Sequence, residues 1–365
     1  MMSLSLFFTQ RINPWSVAKV SLAAGIGLSL SALTACQKPA NPNPQGEVSA
    51  SAKSSASEPA SANAATVVPT VYATTNVWGA VAKQVGGEQV KVVVGVDELS
   101  QDPHDYQATA NDKLNISKAA LVLVNGGGYD DWGTSLAKSV ENKPIIINAV
   151  QISGLQPTTA KDTDEHDSHH EHDEHPGAHA HAHTHTHTHG DFNEHVFYSI
   201  DTAKKVAEVV NYQLALAAPA NKAIYAQNTQ QFMQDMDRLK AKAKLVTQQK
   251  SMTAFATEPV TGYLLADMGI QDITPKPYVT QSETDAGVSV KVLNDSKAML
   301  SNHQVGVLIV NAQTEDSTSK QLIAAAKAAN VAVVPVYETF PQGIDSYSKF
   351  IEKTIDDFAI LTRWV

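Results

Sequence analysis

All but three of the 14 histidines stand between His166 and His189. His166, His169, His170, His172 and His175 are mixed with Asp164, Glu165, Asp167, Glu171, Asp173 and Glu174. Then His179, His181, His183, His185, His187 and His189 fall on alternate positions. Neutral imidazole is the commonest protein ligand for zinc, copper and nickel, so this stretch offers many weak metal sites. Between Leu155 and Phe192 there is no Val, Ile, Leu, Met, Phe, Tyr or Trp side chain. The insert, residues 161–190, therefore has nothing with which to build a core, and it is expected to be disordered. Fixing so many residues around one ion would be entropically costly, which points to an accessory collector or sensor rather than one ordered site. A solvated low-complexity linker would share this composition.

Three histidines remain. His104 lies in Asp102-Pro103-His104-Asp105-Tyr106, and His195 in Asn193-Glu194-His195-Val196-Phe197-Tyr198, directly after the insert. His303 sits between a helix end and an apolar run and reads as structural or exposed. The elements that position them follow from periodicity. Val67–Thr75, Val90–Val94, Leu121–Asn125 and Ile145–Asn148 are strand-length and mostly β-branched, while Val77–Val85 and Asp112–Ala119 between them read as helices. Strands alternating with helices predict a parallel α/β lobe. His104 then falls beyond the carboxyl end of a strand, where such folds bind ligands.

A second series of the same kind runs through Met252–Thr257, Val260–Met268, Val288–Leu300, Val305–Asn311, Ser317–Asn330, Val331–Tyr337 and Ile344–Leu361. Between the two series, Tyr225, Phe232, Met236, Leu239, Ala243 and Val246 recur on one helical face within Asn221–Gln249. At about 1.5 Å per residue such a helix would reach roughly 40 Å, enough to run along both lobes. The predicted fold is α/β: two lobes with mainly parallel sheets (67–218 and 250–365) joined by one long helix (219–249).

Composition removes other classes. A net charge of −10 gives no row of cations for phosphates, so a nucleic-acid partner is not expected. The single cysteine, Cys36, excludes an intrachain disulfide and a thiolate-rich zinc site. There is no His-Glu-x-x-His, and Gly126-Gly127-Gly128 lacks the Gly-Lys-Ser/Thr of a nucleotide loop, reading instead as a tight turn after a strand. No enzyme is expected.

Residues 1–35 carry Arg11 and Lys19 and end in an apolar run too short and too broken by glycine and serine to span a bilayer. They read as a signal peptide. Leu33-Thr34-Ala35-Cys36 resembles a bacterial lipoprotein cleavage box, which makes Cys36 the expected lipidated first residue of the mature chain. Residues 36–66 are mostly Ala, Ser, Pro and Asn and are expected to form a disordered tether. The protein is thus expected in the periplasm or at the cell surface, held by a lipid anchor.

Thr74-Thr75-Asn76-Val77-Trp78, Gly86-Gly87, Asp102-Pro103-His104-Asp105-Tyr106, Ala119-Ala120-Leu121-Val122-Leu123-Val124-Asn125-Gly126 and Glu338-Thr339-Phe340-Pro341-Gln342-Gly343 occur in that order. With the insert before His195 and the long helix, this order resembles the metal-binding solute-binding proteins of bacterial zinc and manganese ABC importers. The resemblance covers nearly all of residues 66–365. It implies a metal held between two lobes by one residue from each of four loops. His104 would be the first ligand, His195 the second and Glu258 the third. The fourth family position, usually Asp, matches Glu338, with Asp345 as the fallback. It further implies a monomeric extracytoplasmic receptor that passes Zn²⁺, or Mn²⁺, to an ABC permease; a periplasmic zinc buffer acting through the insert is the alternative. Two imidazoles and two carboxylates neutralise a divalent cation, and closed four-ligand coordination suits a carrier rather than a catalyst. The histidine-rich insert tips the reading towards zinc. Neutral imidazole ligands also imply that affinity falls as pH drops through about 6.5.

Overall fold

In the computed structural model, residues 68–156, 192–282, 284 and 286–363 are described. The first series is β1 (Thr70–Thr75), α1 (Asn76–Gly86), β2 (Lys91–Val96), α2 (Ala110–Ile116), β3 (Leu121–Val124), α3 (Asp131–Ser139), β4 (Ile145–Asn148) and α4 (Ala149–Ser153). Two helices, α5 (Ile200–Ala217) and α6 (Lys222–Lys244), lead to the second series. That series is β5 (Thr253–Ala256), α7 (Gly262–Met268), β6 (Gln271–Asp272), α8 (Lys276–Ser282), α9 (Val290–Ser301), β7 (Val307–Asn311), α10 (Ser317–Ala328), β8 (Ala332–Val336) and α11 (Tyr347–Arg363).

Every strand pair is parallel, and the two sheets have the same order, β2-β1-β3-β4 and β6-β5-β7-β8. Each order reverses at its first strand, so β1/β3 and β5/β7 flank crevices at the carboxyl ends of the strands. The inner strands β3 (LVLV) and β7 (VLIVN) are buried along their whole length, as expected of strands covered by helices on both faces. The two-lobed parallel α/β architecture expected from the sequence is the observed one.

The long helix is shorter than its apolar spacing predicts. α6 has 23 residues, about 35 Å, because Leu245 turns back on Lys242 and the remaining residues form turns, although Val246 is still buried. Tyr225, Phe232, Met236, Leu239 and Ala243 form its buried face. That face meets α1 and α5 on one side and α7 and α11 on the other. Its polar side is tied in the same way, by Lys204–Asp237 to α5, Lys240–Asp267 to α7, and Arg238–Glu352 and Lys242–Asp356 to α11.

The expected segments do not include α5, an 18-residue helix capped by the Ser199 hydroxyl and buried through Ile200, Ala203, Val206, Val210 and Leu214. One continuous core joins the inner faces of both sheets with α1, α5, α6, α7 and α11. Two smaller cores cover the outer faces, around Tyr72, Val122 and Val124 in one lobe and Phe255, Leu308 and Leu322 in the other. The C-terminal helix, which follows the last strand of the second sheet, also packs on α1, where Gln84 accepts from the Tyr347 N–H and donates to Ser348.

Residues 1–67 and 157–191 lie outside the described residues, and with them the expected signal peptide, Cys36, the tether and the histidine-rich insert. Among the described residues no helix is long and apolar enough to cross a membrane.

Candidate metal centre

His104 comes from the loop between β2 and α2. The Asp102 carboxylate accepts the His104 backbone N–H at 2.9 Å, which sets the turn at Pro103. At the loop's far end, Tyr72 and Tyr106 hydroxyls and the Thr109 backbone all donate to Asp112, the carboxylate of a capping box at the start of α2.

His195 is set by Asn193, whose Oδ1 accepts the His195 backbone N–H at 3.0 Å and lies 2.8 Å from the ring Nδ1. Asn193 Nδ2 donates to the Pro259 carbonyl in the other lobe, so the amide cannot be reversed. The network therefore puts the ring proton on Nδ1 and leaves Nε2 as the electron-pair donor facing the cleft. Asn125, at the end of β3, donates to the Glu194 carbonyl and accepts from the Trp78 indole, so the strand end carries this segment.

Glu338 follows β8 and is fully buried. Gln313 Oε1 accepts the N–H groups of Glu338 and Thr339 at 3.2 and 3.1 Å, and Gln313 Nε2 donates at 2.6 Å to the Gln101 carbonyl on the His104 loop. One side chain thus clasps the two loops across the cleft. Glu338 Oε1 accepts from Asn311 at 2.6 Å, while Oε2 lies 3.3 Å from His104 Nε2 and 3.8 Å from His195 Nε2. One donor atom from each of His104, His195 and Glu338 falls within 4.8 Å of the others. Tyr129, presented by the turn at Gly126–Gly128, stands edge-on to His104 with ring centroids 4.5 Å apart. The turn demands glycine at Gly126, whose φ is +80° and whose Cβ would meet the Asn148 amide at 2.3 Å.

Burial disfavours a charged His104, but the Glu338 carboxylate outweighs it and holds the imidazolium up to about 10. Burial likewise disfavours ionised Glu338, yet the two imidazoles bring it down to about 2. The pairing favours a protonated His104 facing an ionised Glu338. Access is one-sided: the His104 side chain is 23% exposed, against 3% for His195 and none for Glu338.

Glu258 lies beside this group and shares the Asn311 amide with Glu338. Glu258, the expected third ligand, is outside the group of three; its Oε2 accepts from Asn311 at 2.7 Å and its Oε1 from the Thr314 hydroxyl. Burial, reinforced by the charge of Glu338, pushes its carboxyl up to about 7. Asp345, the fallback for Glu338, is 69% exposed and paired with Lys349 at 2.8 Å, away from the cleft. His303 is exposed in the turn after α9, with φ at +54°. Asn311, Gln313, Asn193 and Tyr129 are site residues that the sequence reading did not assign. The signal for two of them was present: Asn311 and Gln313 are amides where the apolar run Val305–Val310 stops, at a carboxyl end.

Two imidazoles and a carboxylate converging from loops of two parallel α/β lobes define a metal-binding protein of the solute-receptor type. The comparisons agree. Residues 71–360 match the family described as zinc-uptake complex component A, periplasmic (ZnuA). The manganese ABC transporter substrate-binding lipoprotein PsaA of Streptococcus anginosus is 21% identical over 310 residues, 79% of this chain and 87% of that protein. The high-affinity zinc uptake system protein ZnuA of Bacillus subtilis is 24% identical over 232 residues, covering 61% and 66%. Among solved structures, the periplasmic zinc-binding protein TroA of Treponema pallidum superposes with a TM-score of 0.62 at 15% identity, over 81% of this chain and all of that one (100%). The chain belongs to the ZnuA family, and it is a binding protein rather than an enzyme.

Proposed function

We propose that the protein is an extracytoplasmic receptor that captures Zn²⁺ in the cleft between its lobes and delivers it to an ABC permease. His104, His195 and Glu338 are its ligands. The observation that carries this is the convergence of those three donors, two of them buried, from loops of both lobes. Neutral nitrogen donors with a carboxylate suit zinc. The histidine-rich stretch 161–190 serves as an accessory collector, Cys36 as the lipid attachment point, and the receptor acts as a monomer.

A manganese receptor is the second reading, favoured by the extra carboxylate of Glu258, a single hydrogen-bonding amide away from Glu338. Hard oxygen donors suit Mn²⁺. Calorimetric titration of Zn²⁺ and, separately, Mn²⁺ into the chain with and without residues 161–190 tests both. One tight zinc site that survives the deletion and disappears in His104→Ala supports the receptor; loss of tight binding with the insert places the function in a zinc buffer instead.

A further inference from the structure

The strands of the first sheet all begin at one end of the lobe, away from the loops that carry the ligands. Backbone bonds lace those starts together: the Lys91 N–H donates to the Pro69 carbonyl at 3.0 Å, Ala120 to Thr70 at 2.9 Å and Ile145 to Ala120 at 3.1 Å. The Tyr225 hydroxyl donates to the Gln89 carbonyl at 2.8 Å, which brings the start of α6 to the same end. Exposed lysines gather there, Lys91, Lys118, Lys143 and Lys222 beside Lys113 and Lys138 in the last turns of α2 and α3. Among the described residues the acids of this face are Glu88, already paired with Lys83, and Glu141. Asp97, Glu98, Asp102 and Asp105 follow β2 and Asp130 and Asp131 follow β3, at the opposite end. In a chain of net charge −10, this lobe is sorted by sign along its strands. Helix dipoles account for part of that: Lys113, Lys118, Lys138 and Lys143 stand at the carboxyl ends of α2 and α3, and Lys143 donates to the Lys138 carbonyl. They do not account for Lys91, which opens a strand, or for Lys222, the first residue of α6, where a cation opposes the dipole.

We propose that this end of the first lobe is a docking surface for an anionic phospholipid bilayer. Its lysines supply the electrostatic attraction, and exposed apolar side chains at the same end supply the contact: Val68 before β1, Ile145 at the start of β4, and Leu216 and Ile224 on either side of the turn between α5 and α6. Basic and apolar groups on one face are what binding at a lipid interface requires. The described chain also enters here, at Val68, so a segment running back to Cys36 leaves from the surface that would face the lipid. A bilayer is at hand if Cys36 is the lipid attachment point, and to that extent the docking rests on the receptor reading above. With this end on the membrane, the acidic loops and the cleft at the other ends of the strands are held clear of the lipid, and like-charge repulsion opposes the reversed pose.

The test uses residues 36–365 with Cys36→Ser, which keep the whole described body and carry no lipid. Co-sedimentation at neutral pH compares vesicles of phosphatidylcholine alone with vesicles that contain phosphatidylglycerol. The chain should bind the anionic vesicles and not the neutral ones, and raising salt from about 0.1 M to about 1 M, which shortens the Debye length from about 10 Å to about 3 Å, should release most of it. Each lysine near the surface is worth about fivefold in partition, so Lys118→Glu with Lys222→Glu should weaken binding by about 25-fold or more. Lys320→Glu with Lys327→Glu, on α10 of the second lobe, makes the same change in net charge and should weaken it far less. Leu216→Ser with Ile224→Ser should cost about tenfold or more and decides the matter if the first pair does not fold. No preference for anionic vesicles, or losses that are absent or equal in the two lysine pairs, overturns the docking surface. Fatty-acid labelling of the unsubstituted chain in cells and its zinc titration test the anchor and the receptor separately, so either can fail while vesicle binding stands.

Discussion

Glu338 is a buried acid whose two oxygens have different employments, one answering an amide and the other two imidazoles. Removing it as Glu338→Ala, or removing either imidazole, should cost more zinc affinity than the about 10–100-fold typical of losing an outer partner. Asn193→Ala, which frees the His195 ring to turn over, should fall within that range. Competition with a chelator measures both. The pH dependence should also differ from that of a free histidine. Because Glu338 holds the His104 proton up to about 10, a metal ion that uses His104 as a ligand should have to expel that proton at neutral pH. Affinity should therefore rise by about tenfold per pH unit through neutrality and on towards pH 10, rather than level off above 6.5. Calorimetry near pH 8 in buffers of different ionisation enthalpy should report about one proton released; none would mean that His104 starts neutral. At this scale His104 and His195 stand out as histidines at loop edges, whereas Glu338 is offered by the family pattern alone, and the structure brings donor atoms of the three within 4.8 Å of one another. The partners of Glu258 cannot be read from the sequence, since its position says nothing of which donors its oxygens meet, and only the folded arrangement brings Asn311 and Thr314 to them.

At the scale of elements, the His104 loop is a long excursion between β2 and α2 that meets the Glu338 loop through Gln313. Gln313→Ala should speed metal release, raise hydrogen exchange across residues 98–106 and lower the melting temperature, since it cuts the tie to Gln101 and leaves the N–H groups of the fully buried Glu338 and Thr339 without their acceptor. Stopped-flow release into a chelator, with exchange measured in parallel, would expose the opposite result as a clasp without consequence. The long helix makes a different prediction. Phe232 is 2% exposed and stacks on Tyr347 of α11 with centroids 5.9 Å apart, so Phe232→Ala should cost about 3–5 kcal/mol in urea unfolding. Its apolar repeat made α6 readable, and the alternation of strand and helix did the same for both sheets. β6 escaped because two exposed polar residues, Gln271 and Asp272, carry no pattern at all. α5 carries an apolar stripe of its own, Ile200, Ala203, Val206, Val210 and Leu214.

Across the whole molecule, the inner faces of both sheets and the helices between them share one core. Heating should then unfold the described body in one cooperative step in place of two. Zinc at one hundred times its dissociation constant should stabilise that step by about 2.7 kcal/mol by mass action, and calorimetry that shows two resolved transitions would contradict the shared core. The shared core also bears on ancestry and engineering. Matching strand orders, β2-β1-β3-β4 and β6-β5-β7-β8, give the chain the outline of a tandem repeat, as though either half were a portable module. Portability has been lost. A half excised after α6 would bare the surfaces on α1 and α6 that α11 now covers, and a half grafted from a distant relative would arrive with a mismatched seam. Chimeras of such receptors are therefore best cut at the rim, by exchanging the loops that bear the ligands, with the interior left as one inheritance.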